Sequence, residues 1–207
     1  MRKQKYSITD KNEIADFLND SIVGILSMID LDGFPYSVCV NYLYKEDKFY
    51  FHSSKSGKKF LSLNKNPQAA FIVFKEYSVI PSHFSGSDIA CNITQFYKSV
   101  HIRGTVKLIE EDNGKVLILN DLMKKFQPEL GFKNIELTDK DYFKNINLTA
   151  VFELTPLNIS AKYNFGQNYT KERLNNIING LRKRGTKLDA ETADMIKNYN
   201  DLNLKSL

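Results

Sequence analysis

The chain predicts a mainly β fold of the α+β class, in which six antiparallel strands close into a small barrel with helices on its outside. Short runs rich in β-branched and aromatic residues alternate with turn chemistry at close spacing through residues 22–108. Helical periodicity is confined to a few separate stretches. The 207 residues, 42% of them apolar, are enough to bury one full core.

Thr9-Asp10-Lys11-Asn12-Glu13 opens a helix, with Asp10 as its cap and Glu13 reaching back. Ile14, Phe17 and Leu18 make its apolar face. Ile22–Ile29 is the first strand, and its Gly24 allows close backbone approach. Asp30-Leu31-Asp32-Gly33 is a hairpin turn with glycine supplying a positive φ. Phe34–Tyr44 returns as the second strand, and Lys45-Glu46-Asp47 turns into the third, Lys48–Ser53. A helix starts at Lys58 and stops at Asn66-Pro67, and Ala69–Val73 is the fourth strand. Ile80–Thr94 is a long loop rich in Ser, Gly, Pro and Asp, of the kind that serves as a lid or binding loop. Gln95–Glu110 is the fifth strand, with Val100, Ile102, Val106 and Leu108 facing one way and Ser99, His101, Arg103, Thr105 and Lys107 the other. Its Gly104 marks a bulge or bend. Glu111–Phe126 is a helix carrying Leu119, Leu122, Met123 and Phe126 at helical spacing, and Asn147–Ala161 is the sixth strand. From Thr170 the chain is helical, with Leu174, Ile177, Ile178 and Leu181 as an apolar stripe. Arg182, Lys183 and Arg184 read as a solvated cluster that suits the dipole of that helix end. The expected division is a barrel domain over 1–165 and a helical extension over 166–207 that the barrel can lose and stay folded.

The segment FYFHSSKSGKKFLSL, Phe49–Leu63, carries the most chemistry. A strand ends in small hydroxyl residues, passes a glycine and hands over to a helix that opens on two lysines. The first N–H groups of a helix lack backbone partners, and the dipole favours an anion there. Ser53, Ser54 and Ser56 add donors and Lys55, Lys58 and Lys59 add charge, so the turn reads as a phosphate pocket or as a solvated polar turn capped by Ser56. Cations oppose the dipole at a helix start, and a bound anion removes that objection for Lys58 and Lys59.

Charge and cysteine content narrow the classes. The net charge of +5 is scattered, which suits anionic small ligands and supplies no basic stripe for nucleic acid. Cys39 and Cys91 lack metal-ligand spacing, and His52, His83 and His101 are too dispersed for a metal site. Cys39 reads as a small packed side chain and Cys91 as an exposed one. No apolar leader follows MRKQK and no apolar run is long enough to span a bilayer, so a reduced, cytoplasmic setting is expected.

VGILSMIDLDGFPYSVCVNYLYKEDKFYFHSSKSGKK, then NPQAAFIV, then YKSVHIRGTVKLIEE resemble the FMN-binding split barrel of the pyridoxamine 5′-phosphate oxidase-like superfamily, in particular its nitroimidazole-resistance flavoproteins. The D-G hairpin running into Gly33–Tyr36, the FHSSKSGKK unit and the Y-x-S-V strand with Gly104 behind it carry the likeness, which covers roughly residues 8–155. The resemblance implies a homodimer with FMN at the subunit interface. It places the phosphate against Ser53, Ser54, Gly57, Lys58 and Lys59, and the backbone of Val40, Asn41 and Tyr42 against the flavin ring. His52 would lie beside the ring or ribityl chain, and Tyr97 and Ser99 would face the cofactor. Where the family often has arginine the chain has Lys98, a point charge in place of a bidentate fork.

The implied activity is that of a flavoprotein oxidoreductase acting on nitroimidazoles or other small electron-poor compounds, with NAD(P)H as a candidate donor. His52 is the candidate catalytic residue, as a proton source, and is otherwise a structural histidine. The alternative is a non-catalytic protein that binds or stores a flavin, haem or deazaflavin in the same slot. Substrate-determining residues are expected in Ile80–Thr94.

Overall fold

The computed structural model describes residues 4–201. In chain order its elements are β1 (Ser7–Ile8), α1 (Lys11–Asp20), β2 (Val23–Ile29), β3 (Pro35–Asn41), β4 (Leu43–Lys45), β5 (Lys48–Ser54), α2 (Lys58–Lys65), β6 (Gln68–Ile80), β7 (Thr94–Leu108), α3 (Asp112–Phe126), α4 (Lys140–Leu148), β8 (Thr149–Asn164), α5 (Lys171–Arg184) and α6 (Asp189–Tyr199). The strands form one sheet in the order β3-β2-β6-β7-β8-β5-β4, with β1 added on β8. The predicted class holds, with eight strands among the described residues in place of six. The extra two are the short β1, and β4, which is separated from β3 at Tyr42. There the Tyr42 N–H donates to the Ile22 carbonyl at 3.4 Å and the fully buried side chain donates its hydroxyl to the Leu18 carbonyl at 2.6 Å.

The chain divides into two compact units. The barrel unit is Asp10–Val73 with His101–Ile159; the helical unit comprises, of the described residues, those up to Thr9, Phe74–Val100, and those from Ser160 onward.

In the barrel unit, β2 pairs antiparallel with β3 from Val23↔Asn41 to Ile29↔Pro35, and with β6 through Leu26↔Phe71. The β2–β3 turn is tied by the Gly33 N–H to the Asp30 carbonyl at 3.1 Å, with Gly33 at φ +88°. The Asp30 carboxylate accepts the Asp32 and Phe34 N–H groups at 3.0 and 2.9 Å, an aspartate turn. β5 pairs antiparallel with β4 on one side and β8 on the other, and β3 packs beside β5. Tyr42, Phe49 and Phe71 form a buried aromatic cluster with centroids 5.2–5.8 Å apart. Gly24 has the predicted reason: a Cβ there would stand 2.2 Å from the Phe71 ring. At Gly104 the reason is also packing, since a Cβ would meet the Thr155 carbonyl at 2.3 Å. Asp10 caps α1 as predicted, accepting from Asn12 and Glu13 N–H. Glu111 caps α3, whose Ile118 and Leu122 pack on Tyr50 and Val151. α4 escapes the sequence pattern because only Ile146 of it is buried.

In the helical unit the apolar stripe Leu174, Ile177, Ile178 and Leu181 is buried, with Ala193 and Ile196 of α6. The stripe is therefore the core of this unit, and a chain ending at Thr170 loses it; residues 202–207 of the expected extension lie outside the described residues. Arg184 is not a solvated helix end. Its guanidinium donates to the buried Asp189 carboxylate from Nε at 2.9 Å and to the Val79 carbonyl at 3.0 Å. The pairing follows from the turn at Gly185, φ +67°, which brings α6 back against α5. Gly180 allows the Phe84 ring to lie against α5, where a Cβ would stand 2.5 Å from it.

Candidate functional site

The turn between β5 and α2 belongs wholly to the barrel unit. β5 alternates into it: Phe51 is buried and stacks on Phe152 at 5.4 Å, while His52 faces solvent. The chain is then held by the Lys55 N–H on the Leu148 carbonyl at 3.0 Å. Ser54 Oγ accepts the Ser56 N–H at 3.2 Å and lies 2.9 Å from Ser56 Oγ. Ser53 Oγ donates to the Ser54 carbonyl at 2.9 Å. Ser56 does not cap α2. The cap position is Gly57, in extended conformation and without a capping side chain, and a Cβ there would meet only the Ser54 carbonyl at 3.7 Å. The N-terminus of α2 thus presents its first N–H groups beside three hydroxyls in an open cradle.

The two lysines differ. Lys58 Nζ pairs with Asp30 Oδ2 at 2.7 Å and lies 4.9 Å from the Tyr36 ring centroid. The ammonium holds the Asp30 carboxyl below the usual carboxylate range, helped by the Phe34 N–H, and the carboxylate raises the lysine in return. The anion that the charge pattern demands for Lys58 is therefore supplied by the β2–β3 turn, which the sequence reading did not foresee. Lys59 has no carboxylate partner among the described residues. Its Nζ donates to the His52 carbonyl at 3.1 Å, over the Phe51 ring, and burial pushes its pKa down. A half-buried ammonium without a carboxylate partner among the described residues is a place where an anion is stabilised. Partial desolvation and the Lys59 charge also push the His52 pKa below its ordinary value, which favours the neutral imidazole.

The remaining predicted residues lie as follows. Val40 and Tyr42 have buried side chains, so only their backbone is available; Asn41 is exposed and its amide donates to the Ile22 carbonyl at 3.5 Å. Cys39 is exposed, not packed: it sits opposite Ile25 on the outward face of β3, a strand at the sheet edge. Tyr97 and Ser99 belong to the helical unit. There Ser99 Oγ donates to the Lys162 carbonyl at 3.4 Å, and Lys162 Nζ lies 5.3 Å from the Tyr97 ring. Lys98 Nζ lies 4.8 Å from the Tyr163 ring and 5.3 Å from the Tyr199 ring.

A groove of about 790 Å³ crosses the barrel unit and is lined by Met28, Ile29, Ala69, Ala70, Gln68 and Arg103, among others. Sequence reasoning placed Arg103 on the polar face of its strand without connecting it to β2 and β6. Ile29 of this groove precedes Asp30, which holds Lys58. The groove and the β5–α2 turn are thus joined through one hairpin.

The model of the pyridoxamine 5′-phosphate oxidase family matches residues 10–163. The chain belongs to that family. The matched region takes in the β2–β3 hairpin, the β5–α2 turn and the long strands, so the family assignment rests on the same segments that build the cradle. None of the curated proteins compared with this family member matches it. Among solved structures it is similar to a candidate 5-nitroimidazole antibiotic resistance protein of Bacteroides thetaiotaomicron, with 22% identity, 75% of this chain and 85% of that one covered, and a TM-score of 0.59. It is similar to an FAD- and haem-binding protein of Mycobacterium smegmatis, with 19% identity over 78% and 74% of the two chains and a TM-score of 0.66. The flavocytochrome Anf3 of Azotobacter vinelandii gives 18% identity, 79% and 72% cover and a TM-score of 0.65. At these identities the likeness establishes the split-barrel fold. Among the described residues no helix is long and apolar enough to cross a membrane.

Proposed function

We propose that this member of the pyridoxamine 5′-phosphate oxidase family is an FMN-dependent oxidoreductase that acts on small electron-poor compounds such as nitroimidazoles. The β5–α2 turn carries the reading: an uncapped helix start, three serine hydroxyls and a half-buried lysine with no carboxylate partner fit a phosphate. Ser53, Ser54, Gly57 and Lys59 would hold it, and Lys58 would join them by leaving Asp30. The backbone of Val40, Asn41 and Tyr42 would border the ring. When bound, the flavin supplies the two-electron chemistry. The chain's part is to hold the phosphate, orient the ring and exclude water. His52, neutral and exposed, is proposed to donate one N–H to a reacting group.

Among the similar structures one is described as an FAD- and haem-binding protein and another as a flavocytochrome, which supports a flavin as the ligand. A homodimer is proposed on the barrel unit's exposed apolar residues. Ile29, 41% exposed, and Val23, 49% exposed, share the outward face of β2 with Ile25 and Ser27, beside Pro35 and Cys39 of β3. Sedimentation should return about twice the 23.8 kDa chain mass, and a monomer at micromolar concentration refutes the dimer.

Absorption spectroscopy tests the enzyme. Flavin bands that bleach with NAD(P)H and recover with a nitroaromatic are expected. Bands that persist under NAD(P)H make the protein a flavin binder without turnover, the alternative reading. A colourless protein that takes up no FMN refutes both.

A further inference from the structure

The helical unit holds a separate pocket of about 610 Å³, a size suited to a small organic ligand. Its lining includes Tyr6, Lys162, Asn168, Tyr169 and Arg173. Thr170 Oγ1 accepts the Arg173 N–H at 3.3 Å, which fixes that residue in the first turn of α5. The Arg173 guanidinium carbon lies 3.8 Å from the Tyr169 ring centroid. Lys162 Nζ lies 5.3 Å from the Tyr97 ring and 5.9 Å from the Tyr6 ring, so one ammonium sits between two phenol faces. The Tyr6 hydroxyl donates to Asn168 Oδ1.

Two features ask for a ligand. No carboxylate lines the pocket, and neither Lys162 nor Arg173 has an ion-pair partner among the described residues. The Arg173 Nε–H is also shielded from solvent and meets no acceptor among the described residues, and a shielded donor without an acceptor is costly. A planar guanidinium pairs with phosphate oxygens two at a time, while an ammonium adds a point charge. The half-buried Tyr169 ring supplies flat apolar surface.

We propose that this pocket binds a phosphate monoester carried on a flat ring, with Arg173 and Lys162 on the phosphate and the half-buried Tyr169 ring beside the base. The ligand is a free nucleotide or the nucleotide half of a dinucleotide. The site is distinct in residues from the β5–α2 turn and stands without the flavin reading.

Calorimetric titration of the full chain with AMP, adenosine and NADP⁺ tests it. AMP is expected to bind at least 10-fold tighter than adenosine. Arg173→Gln and Lys162→Gln are each expected to weaken AMP at least 10-fold while FMN affinity stays within twofold. NADP⁺ binding tighter than AMP identifies a dinucleotide, and the reverse a free nucleotide; both support the site. Circular dichroism checks the fold of each variant, and if one fails to fold the other carries the test. AMP no tighter than adenosine overturns the proposal whatever the variants do. So do AMP affinities unchanged in the folded variants, or displacement of bound FMN by AMP, which would merge the pocket with the flavin site.

Discussion

Asp30 decides how many cations the β5–α2 turn can offer an anion. Its Oδ1 builds the hairpin turn and its Oδ2 holds Lys58 at 2.7 Å. Asp30→Asn keeps the first role and removes the second, so it should free Lys58 and tighten FMN several-fold in a fluorescence-quenching titration; weaker FMN binding would show that Lys58 does not reach the phosphate. The folded-state pKa of Asp30 is depressed, so its contribution to stability is present above the usual carboxylate range and lost as pH falls through the depressed value. Lys125 has a linkage of the same sign in an alkaline window. Its Nζ donates to the Ser21 carbonyl at 2.7 Å and lies 4.3 Å from the Tyr42 ring, and burial lowers it from 10.5 to about 8. Between those two values the unfolded chain holds a proton that the folded chain has released, so stability rises with pH across that window. The melting temperature of the native protein minus that of Lys125→Met should therefore climb from pH 8 to 10; a constant difference would contradict the burial of this amine.

At the scale of elements, the junction of α5 and α6 is pinned by one carboxylate. Asp189 is buried and accepts from Arg184, from the Ser78 hydroxyl at 2.6 Å and from the Thr186 N–H at 2.8 Å. Arg184 holds its pKa well below the usual range, against the burial that raises it. Asp189→Ala leaves these donors without their acceptor and should cost about 3–5 kcal/mol in urea unfolding; a loss below about 1 kcal/mol would mean that the pair is exposed and screened. The sequence carried α5 through its stripe and its Thr170 cap but placed Arg184 in water, because its partner lies across a turn that only Gly185 signals. β2, β5 and the Asp30–Gly33 turn were legible because alternation and turn chemistry act locally. β6 reads as ending at Val73 because Phe74, Lys75 and Glu76 are exposed and interrupt the alternation, yet Tyr77, Ser78 and Ile80 return to burial. α4 was illegible because a helix with a single buried residue leaves no periodic trace.

At the scale of the whole molecule, the pattern of strands and the family segments converge on a split barrel whose β5–α2 turn joins an uncapped helix start to serine hydroxyls and two lysines. What the chain order could not convey was pairing at a distance. Lys58 and Asp30, Arg184 and Asp189, and Lys162 and Tyr6 are set by how strands and helices return on one another. The cradle itself was legible, because serines, glycine and lysines are contiguous there; the division of labour between Lys58 and Lys59 was not. The measurement that tests the central claim most directly compares FMN with riboflavin, which differ only by the phosphate, in the native protein and in Lys59→Ala. FMN is expected to bind the native protein at least 10-fold tighter than riboflavin, and most of that advantage, about 1.4 kcal/mol or more, should vanish in the variant. Equal affinities for the two flavins in the native protein, or an advantage that survives Lys59→Ala intact, would contradict a phosphate at this turn.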